Sequence, residues 1–409
     1  MGKAYDAIVV GARCGGSPTA ALLARRGFRV LLVDKARFPS DTLSTHLIHP
    51  TGVAALGRWG LLDRVRATGA PAIDRYSLDF GMFRISGAPL PTDDGVAQGF
   101  GPRRSVLDDL LVHAAAGAGA EVREGVQVDE LVVDDGVVTG IRGHAEGGGS
   151  FTEESRVVIG ADGRHSFVAR CVNAEIYHQR PTFAATYFAY WSGVPVDGLE
   201  VYIRPERSFG AFPTNDGLTL VVMSWPRSEF KANRGDVEGN FLKSLEFAPD
   251  LATRVAGGRR ETRFSGTGDA PGYYRKPFGP GWALVGDAGH HKDPCTAKGM
   301  SDAFRDAEHL AQALDDAWSG RAPYERALAA FHRSRDAHTL PMYDFTCQLA
   351  SLEPPPPETA EVLMAVSASP ESSRQFVSVL AGTVALPDFF SAENVARVLA
   401  AGSTPITQG

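Results

Sequence analysis

The hydrophobic pattern near the amino terminus predicts a strand, a turn, a helix and a second strand. Ala7–Val10 is an unbroken apolar run, and Val30–Val33 is another. Between them, Thr19–Arg26 carries alanine and leucine at helical spacing. Two strands of continuous apolar residues, joined by a helix, are typical of a parallel sheet that is covered on both faces. The chain therefore begins with a βαβ unit.

A glycine cluster joins the first strand of this unit to its helix. Gly11 permits a tight turn, while Gly15 and Gly16 let the backbone approach a phosphate and let the helix pack against the strand. Asp34 follows about twenty residues later, where a carboxylate can accept hydrogen bonds from ribose hydroxyls. The pattern predicts an NAD-like nucleotide or FAD, with an ordinary βαβ core unit as the alternative. Arg13 replaces the usual second glycine, and it is either a surface residue or a cation across the phosphates or the flavin edge.

A second strand end carries an Asp-Gly pair. Val157–Ala161 reads as a buried strand that runs into Asp162 and Gly163, and a helix is predicted from Ser166. In this geometry a carboxylate and backbone amides can meet a second part of a dinucleotide, although Asp-Gly is also a common turn.

A third segment repeats the order of strand, loop and helix. The buried strand Trp282–Val285 delivers Gly286 and Asp287 to its carboxyl end, a loop with a proline follows, and Gly299 precedes a helix. Open parallel sheets hold ligands at such strand ends. Asp287 is therefore a candidate ligand of a polyol chain.

A helix predicted over Pro102–Ala116 begins with two basic residues, Arg103 and Arg104. Basic side chains at a helix amino terminus oppose the helix dipole. An anion nearby would make this placement favourable, so Arg104 is either a cofactor or substrate contact or a solvated surface residue.

The middle of the chain predicts a second domain. Glu175–Phe230 crowds aromatic residues into alternating runs punctuated by turns, which is typical of an antiparallel sheet, and Arg75–Ile85 alternates in the same way. The rings are either core or the lining of a substrate cavity. Val237–Ala256 is predicted to be a surface-exposed helix, and a helix follows at Tyr324–Asp336.

The predicted fold class is α/β, with a Rossmann-like FAD-binding domain built on a parallel sheet, an inserted and mainly antiparallel substrate domain, and a helical carboxyl-terminal tail after the spacer Pro354–Pro357. The predicted tail ends in a frayed segment from Ser403. The predicted boundaries are 1–72, 99–172 and 276–345 for the FAD-binding domain, 73–98 and 173–275 for the substrate domain, and 346–409 for the tail.

Composition narrows the classes of function. A length of 409 residues exceeds what one core usually supports. A net charge of −7 gives no reason to expect nucleic acid or an anionic membrane as partner. The cysteines form no C-x-x-C pair, so neither zinc nor another metal nor a disulfide framework is predicted, and a reduced, cytoplasmic location fits best. The sequence leaves no room for a signal peptide and has no apolar run of about eighteen residues.

The three strand-end segments together resemble the single-component flavin monooxygenases of the aromatic-hydroxylase type, with the geranylgeranyl reductases and flavin halogenases as relatives. The resemblance covers most of residues 5–345. It implies that Asp162 and Gly163 serve both FAD and a transient NAD(P)H, and that Pro294 and Gly299 lie beside the isoalloxazine ring. The candidate FAD contacts are Gly11, Arg13, Gly15, Gly16, Asp34, Lys35, Arg104, Asp162, Gly163, Gly286, Asp287, Pro294, Gly299 and Met300.

Some positions depart from the family pattern. Lys298 and Ser301 stand where glutamine and asparagine are usual, which affects hydrogen bonding at the pyrimidine end of the flavin. The W-x-W-x-I-P segment and a counterpart of the halogenase lysine are missing, which argues against halogenation. The loop Asp41–His49 has no cysteine, unlike many prenyl reductases.

The resemblance implies that NAD(P)H reduces the flavin, that O2 adds at C4a, and that the hydroperoxide transfers oxygen to a bound substrate. Pro294 would form a compact wall beside C4a. The acid–base candidates are the loop histidines His46, His49, His290 and His291, each with an ordinary hydrogen-bonding role as the alternative. Lys292 and Asp293 are either an exposed ion pair or a polar contact to the flavin.

The predicted function is hydroxylation or oxidation of a large apolar, aromatic or polyketide-like small molecule. An FAD-dependent reductase of an isoprenoid-like substrate and a non-catalytic flavin redox sensor are the alternatives. The sequence does not specify the oligomeric state.

Overall fold

The computed structural model describes residues 4–402, so the predicted frayed end from Ser403 lies outside the described residues. The strands are β1 (Tyr5–Val10), β2 (Val30–Asp34), β3 (Ala72–Ile73), β4 (Tyr76–Asp79), β5 (Arg84–Gly87), β6 (Gly99–Phe100), β7 (Glu121–Glu124), β8 (Val126–Asp134), β9 (Val137–Ala145), β10 (Ser150–Gly160), β11 (Ile176–Arg180), β12 (Ala184–Ser192), β13 (Leu199–Arg204), β14 (Arg207–Pro213), β15 (Thr219–Pro226), β16 (Arg259–Arg260), β17 (Ser265–Thr267), β18 (Gly272–Arg275), β19 (Phe278–Gly279), β20 (Trp282–Leu284) and β21 (His290–His291). The helices are α1 (Gly16–Arg25), α2 (Pro50–Arg58), α3 (Leu62–Ala67), α4 (Arg104–Gly117), α5 (Phe167–Cys171), α6 (Phe230–Asn233), α7 (Val237–Leu245), α8 (Pro249–Gly257), α9 (Gly299–Trp318), α10 (Tyr324–Ala350), α11 (Pro357–Ser367), α12 (Pro370–Ala381), α13 (Leu386–Phe389) and α14 (Ala392–Gly402).

A mainly parallel sheet forms the centre of the first domain, in the strand order β19-β20-β10-β1-β2-β7, with β19 antiparallel at its edge. Strand β1 pairs in parallel with β10 on one side and with β2 on the other, which confirms the predicted βαβ unit. Strand β20 adds in parallel beside β10. The carboxyl ends of β1, β10 and β20 therefore meet at one edge of the sheet, which confirms the α/β class.

Strand β10 is longer than predicted and takes part in two pairings. Its first residues pair antiparallel with β9, and its last residues pair parallel with β1. Strands β8 and β9 form a hairpin whose turn contains Asp135 and Gly136, both with positive φ as an Asp-Gly hairpin turn requires. This extension covers one side of the first domain.

The second domain is a mainly antiparallel sheet in the order β16-β12-β15-β14-β13-β4-β5, with β13 and β4 as a parallel pair. Helices α7 and α8 cover one face of this sheet. The prediction of one surface-exposed helix there was wrong, because Phe241, Leu245, Leu251 and Val255 are buried against the sheet. Each of these helices has a polar face toward solvent and an apolar face toward the sheet, and the apolar faces were not recognised in the sequence.

The carboxyl-terminal helices cover the opposite face of the same sheet. Val362, Phe376 and Phe389 lie in one core with Phe188 and Tyr190 of β12. The tail is therefore part of the core. Helix α10 runs to Ala350 and therefore crosses the predicted start of the tail at residue 346. Helix α13 was not predicted from the sequence. Within residues 4–402, no helix has both the length and the hydropathy needed to cross a membrane.

Candidate active site

A cavity of about 680 Å³ lies where the three parallel strands end. Val10, Ala161 and Val285, which stand at or just after the ends of β1, β10 and β20, are part of its wall. The cavity continues to the second sheet, where Thr186 and Phe188 of β12 line it. The structure brings most of the sequence-predicted residues to this wall: Gly11, Arg13, Gly15, Asp34, Lys35, His46, Arg104, Asp162, Gly163, Gly286, Asp287, His291, Pro294, Gly299 and Met300.

The glycine cluster at the start of α1 brings two backbones into contact. Gly11 has a φ of +102°, and a Cβ there would lie 2.5 Å from the carbonyl oxygen of Ala161. Gly16 does not line the cavity, but a Cβ at this position would lie 1.7 Å from the carbonyl oxygen of Gly11. In the first turn of α1, Ser17 donates its N–H to the carbonyl of Arg13 at 3.0 Å, and Pro18 has no N–H. The N–H groups that can meet an anion at the cavity are therefore those of Gly15 and Gly16 at the start of the helix.

Asp34 is held at the end of β2 by backbone amides. Its Oδ2 accepts from the N–H of Ala12 and its Oδ1 from the N–H of Ala36, both at 2.7 Å. Each carboxylate oxygen keeps a second lone pair for another donor. The next residue, Lys35, is exposed at the rim of the cavity.

Asp108 of α4, which the sequence analysis missed, binds two arginines at the cavity wall. Its carboxylate accepts from Arg13 Nη1 at 2.6 Å, and from Arg104 Nε at 3.1 Å and Nη2 at 2.9 Å. Arg13 also donates to the carbonyl of Ser40, so it joins α1, the following loop and α4. One carboxylate between two guanidinium groups leaves an excess positive charge, which suits a pyrophosphate.

Asp162 has one occupied and one unpaired oxygen. Its Oδ2 accepts from the amides of Phe167 and Val168 at the start of α5, at 2.6 and 3.1 Å. Its Oδ1 is buried and has no hydrogen-bond partner within the described residues. Burial raises the pKa of this carboxyl above its ordinary value. A buried acceptor without a partner costs free energy, so a ligand that donates a hydrogen bond to this oxygen would stabilise the site.

Asp287 and the amino end of α9 face the same cavity. Gly286, with a φ of +59°, donates its N–H to Asp306 Oδ2 at 3.0 Å and turns the chain so that Asp287 is exposed. No hydrogen bond from a described residue reaches the Asp287 carboxylate. Helix α9 begins at Gly299 without a side-chain cap, so its amino end presents a partial positive charge to the cavity.

His46 is buried in an aromatic slot at the boundary with the second sheet. Its ring stacks on Tyr190 at 5.6 Å and meets Phe212 edge-on at the same distance. Neither ring nitrogen has a hydrogen-bond partner within the described residues. Burial and the neighbouring charge of Arg104 lower the pKa of His46 to about 3. The imidazole is therefore neutral at neutral pH, where it can hydrogen-bond a ligand but is only a weak base.

Two other candidate histidines, His291 and His49, have fixed hydrogen bonds, whereas Nδ1 of the buried His290 has no hydrogen-bond partner within the described residues. His291 Nδ1 lies 2.6 Å from the carbonyl oxygen of Pro271, so Nδ1 carries the hydrogen and Nε2 remains an acceptor. His49 lies outside the cavity wall, because its nitrogens bond Tyr76 Oη at 2.9 Å and the Thr296 carbonyl at 3.0 Å. His49 therefore joins the loop to β4 and to the turn before α9, which corrects the prediction of an acid–base role.

Lys292 and Asp293 are both buried, and they do not pair with each other. The interpretation as an exposed ion pair was wrong. Lys292 instead donates through Nζ to Asp302. Burial would raise the pKa of Asp302, but Lys292, His290 and Arg305 together hold it well below its usual range. Asp293 lines the cavity beside Pro294.

The two departures from the family pattern are also buried. Burial lowers the pKa of Lys298 to about 7, while Asp302 partly opposes the shift. The hydroxyl of Ser301 has no partner within the described residues. Lys298 is the residue before α9 and Ser301 lies in its first turn, and neither residue is part of the cavity wall.

These features fit an extended dinucleotide. Gly11 and Gly16 leave no room for a Cβ, and one oxygen of Asp162 has no hydrogen-bond partner within the described residues. The Asp287 carboxylate accepts no hydrogen bond from a described residue, and Arg13 and Arg104 share the carboxylate of Asp108. Groups of three or more His, Cys, Asp or Glu side chains able to hold a metal are not found in residues 4–402. The fold and the cavity define a flavin-binding α/β protein.

Comparisons with known proteins agree with this class. The FAD binding domain family matches residues 4–346. Digeranylgeranylglycerophospholipid reductase of Methanocella arvoryzae is 29% identical over 316 residues, with 74% of this chain and 76% of the relative covered. Rifampicin monooxygenase of Rhodococcus hoagii is 26% identical over 327 residues, with 78% of this chain and 65% of the relative covered. The chain thus spans less than two thirds of that second relative.

Among solved structures, the myxobacterial chondrochloren halogenase CndH matches with a TM-score of 0.80 and 21% identity, covering 98% of this chain and 97% of that chain. At this identity the likeness shows the fold alone. The chain belongs to the FAD binding domain family. It is an FAD-dependent oxidoreductase of the monooxygenase family.

Proposed function

We propose that this enzyme uses NAD(P)H and O2 to hydroxylate or oxidise a large apolar, aromatic or polyketide-like small molecule. The observation that carries the proposal is the shape of the cavity, which runs from the dinucleotide edge of the first sheet to the aromatic second sheet. A substrate bound against Phe188 would lie between that sheet and the flavin. The proximity of the two sites is what oxygen transfer requires.

Bound FAD would supply the chemistry of oxygen activation, and the residues of this chain would hold it and shape the chamber. Asp34 and Asp287 would accept from the ribose and ribityl hydroxyls, and the pyrophosphate would lie near the amino end of α1 and the excess charge of Arg13 and Arg104. Pro294 and Gly299 would form a backbone wall beside the ring. A chamber closed from solvent by the bound ring and substrate would exclude the water that would otherwise divert a reactive oxygen species.

The histidines have complementary roles in this proposal. His46 would offer a neutral hydrogen bond to a polar group of the substrate, because its slot faces the second sheet. His291 Nε2 would accept a hydrogen bond, since its Nδ1–H is committed to Pro271. Neither role needs a charged imidazole.

A reductase acting on an isoprenoid-like substrate is the second candidate function. The similarity to an archaeal digeranylgeranylglycerophospholipid reductase favours it, and so does the apolar character of the second sheet. A flavin redox sensor without a substrate is the third. The three differ in the fate of O2 and in whether a substrate stimulates oxidation of NAD(P)H.

Oxygen labelling distinguishes these functions. The purified protein with FAD is incubated with NADH or NADPH, 18O2 and a panel of polycyclic phenols and polyketide aromatics. We expect one 18O atom in the product and substrate-stimulated NAD(P)H oxidation. Product formed without 18O would support the reductase. A flavoprotein that no panel member stimulates would contradict the monooxygenase proposal and favour the sensor.

Replacing Asp287 with asparagine is expected to weaken FAD binding by about 10- to 100-fold. A hydrogen bond to a charged acceptor contributes about 1.5–3 kcal/mol, which the neutral amide does not reproduce. Because no described residue bonds this carboxylate, the melting temperature of the FAD-free protein should stay unchanged. Titration with FAD, followed by flavin fluorescence, measures the effect. Equal affinity in the variant and the parent protein would remove Asp287 from the cofactor site.

A further inference from the structure

The proposed reaction needs a proton that the reductant does not supply. In RH + O2 + NAD(P)H + H⁺ → ROH + H2O + NAD(P)⁺, one oxygen atom enters the product and the other leaves as water. NAD(P)H gives two electrons and one hydrogen as hydride, so a second proton must reach the departing oxygen. In a chamber that excludes water, a side chain on the wall has to hold that proton.

Asp293 has the placement of such a group. It lines the cavity directly before Pro294 and is 6% exposed. Its Oδ1 accepts from the amide of Cys295 at 3.0 Å, which caps the short turn Pro294–Thr296. Its Oδ2 is buried and has no hydrogen-bond partner within the described residues. One oxygen is therefore structural, and the other is available to carry a hydrogen.

Within residues 4–402, no positively charged group is paired with this carboxyl. The neighbouring Lys292 is committed to Asp302. The titratable groups that interact with Asp293 are the thiols of Cys295 and Cys347, whose pKa values are themselves raised by burial, so both are neutral. Burial accordingly raises the pKa of Asp293 to about 6. The side chain can hold and release a proton near neutral pH.

Other polar groups of the cavity are less suited to donate. His291 has committed its Nδ1 hydrogen to Pro271, and the pKa of His46, lowered to about 3 by burial, leaves it neutral. Arg104 is held by Asp108. Burial also raises the pKa of Asp162, but its carboxylate accepts from two backbone amides, which favour the charged form, whereas Asp293 accepts from one.

We propose that Asp293 is the proton donor of the cavity, a carboxylic acid that gives its Oδ2 hydrogen to the oxygen atom leaving as water. The carboxylate left behind takes up a proton from solvent when the product departs. This inference rests on the monooxygenase function proposed above for the direction of transfer. The acid itself is a property of the folded chain, so it can be tested without turnover.

The test compares the protein with its Asp293→Asn variant, which keeps the size of the side chain and an acceptor for the Cys295 amide. The visible spectrum of bound FAD is titrated from pH 5 to pH 8. We expect a one-proton change centred near pH 6 in the parent protein and none in Asp293→Asn. The matched control is Asp269→Asn, because this carboxylate also lines the cavity but is 64% exposed, and it should retain the change. A change that persists in Asp293→Asn, or no change in the parent, would overturn the proposal.

Thermal unfolding gives a second readout that does not need bound FAD. The folded-state pKa of Asp293 is raised above its unfolded value, so its contribution to stability is full below about pH 4 and is lost as pH rises through about 6. The difference in melting temperature between Asp293→Asn and the parent should therefore grow in favour of the variant across this window. A difference that is constant with pH would contradict the buried acid.

With a substrate found by oxygen labelling, kcat of Asp293→Asn should fall roughly 100-fold with little change in KM, because a general acid typically contributes that much. More of the NAD(P)H should end as hydrogen peroxide. If no substrate incorporates 18O while the spectral change near pH 6 still depends on Asp293, the acid stands and the monooxygenase function fails. If oxygen is transferred at equal rates in both proteins, Asp293 is not the proton donor, and the monooxygenase function still stands.

Discussion

Replacing Gly16 with alanine is expected to abolish FAD binding and to destabilise the first domain strongly. The new Cβ would lie 1.7 Å from the carbonyl oxygen of Gly11, which is backbone and cannot rotate away. Overpacking usually costs about 1–3 kcal/mol, and a backbone partner places this case at or beyond the upper end. Helix α1 would have to move off β1, and its amino end would no longer point at the phosphates.

Gly15→Ala is the matched control for this experiment. A Cβ at Gly15 meets Val285 Cγ2 at 3.5 Å and Ala161 Cβ at 3.7 Å, which are ordinary van der Waals contacts. We expect Gly15→Ala to retain FAD and to unfold within about 1 kcal/mol of the parent protein. Urea unfolding and FAD titration measure both quantities. If Gly16→Ala matched Gly15→Ala in both, close packing of α1 on β1 would not be what forms the cradle.

The sequence allowed the three strand ends to be predicted because each is specified locally. Unbroken apolar runs identify the three strands, followed by glycines after β1 and by a glycine and an aspartate after β10 and β20. Parallel pairing then brings their carboxyl ends together at one edge of the sheet. Asp162 and Asp287 were found for this reason. Each of the two carboxylates can meet a ligand because it stands just after the end of a strand, at the cavity.

Contacts between distant elements could not be predicted in the same way. His46 and His49 belong to one loop, yet the first lines the cavity and the second bonds Tyr76 and Thr296. The difference arises from the bend of the loop, where His46 has a φ of +37°, an angle that no local pattern at a non-glycine residue indicates. A predicted loop therefore gave candidate residues without their orientation.

Asp108 is a residue that a closer comparison of spacing would have found. It lies four residues after Arg104, on the same face of α4 as Leu107 and Leu111, both of which are buried. A carboxylate on an apolar helix face has to be paired, and an arginine at this spacing is the nearest partner. The second partner, Arg13, comes from a distant segment and required the tertiary structure.

Replacing Asp108 with asparagine is the second substitution from which we expect a large effect, a loss of about 3–5 kcal/mol in the free energy of unfolding of the FAD-free protein. Asp108 is completely buried, and its carboxylate serves both Arg13 and Arg104. Removing one member of a buried ion cluster leaves charges without compensation, and this costs more than the intact cluster contributes. The side-chain amide of the introduced asparagine would also place an N–H donor against two guanidinium groups, which offer no acceptor.

Asp109→Asn is the control, because Asp109 is the next residue of the same helix, is 33% exposed, and pairs with His113 alone among the charged groups of residues 4–402. This change should alter the free energy of unfolding by less than about 0.5 kcal/mol. FAD provides a further comparison, because its pyrophosphate brings negative charge to the arginines that Asp108→Asn leaves uncompensated. We therefore expect saturating FAD to raise the melting temperature of Asp108→Asn more than that of the parent protein. An equal rise in both would show that the phosphates lie away from this pair of arginines, and a stable FAD-free variant would show that their charges are neutralised elsewhere.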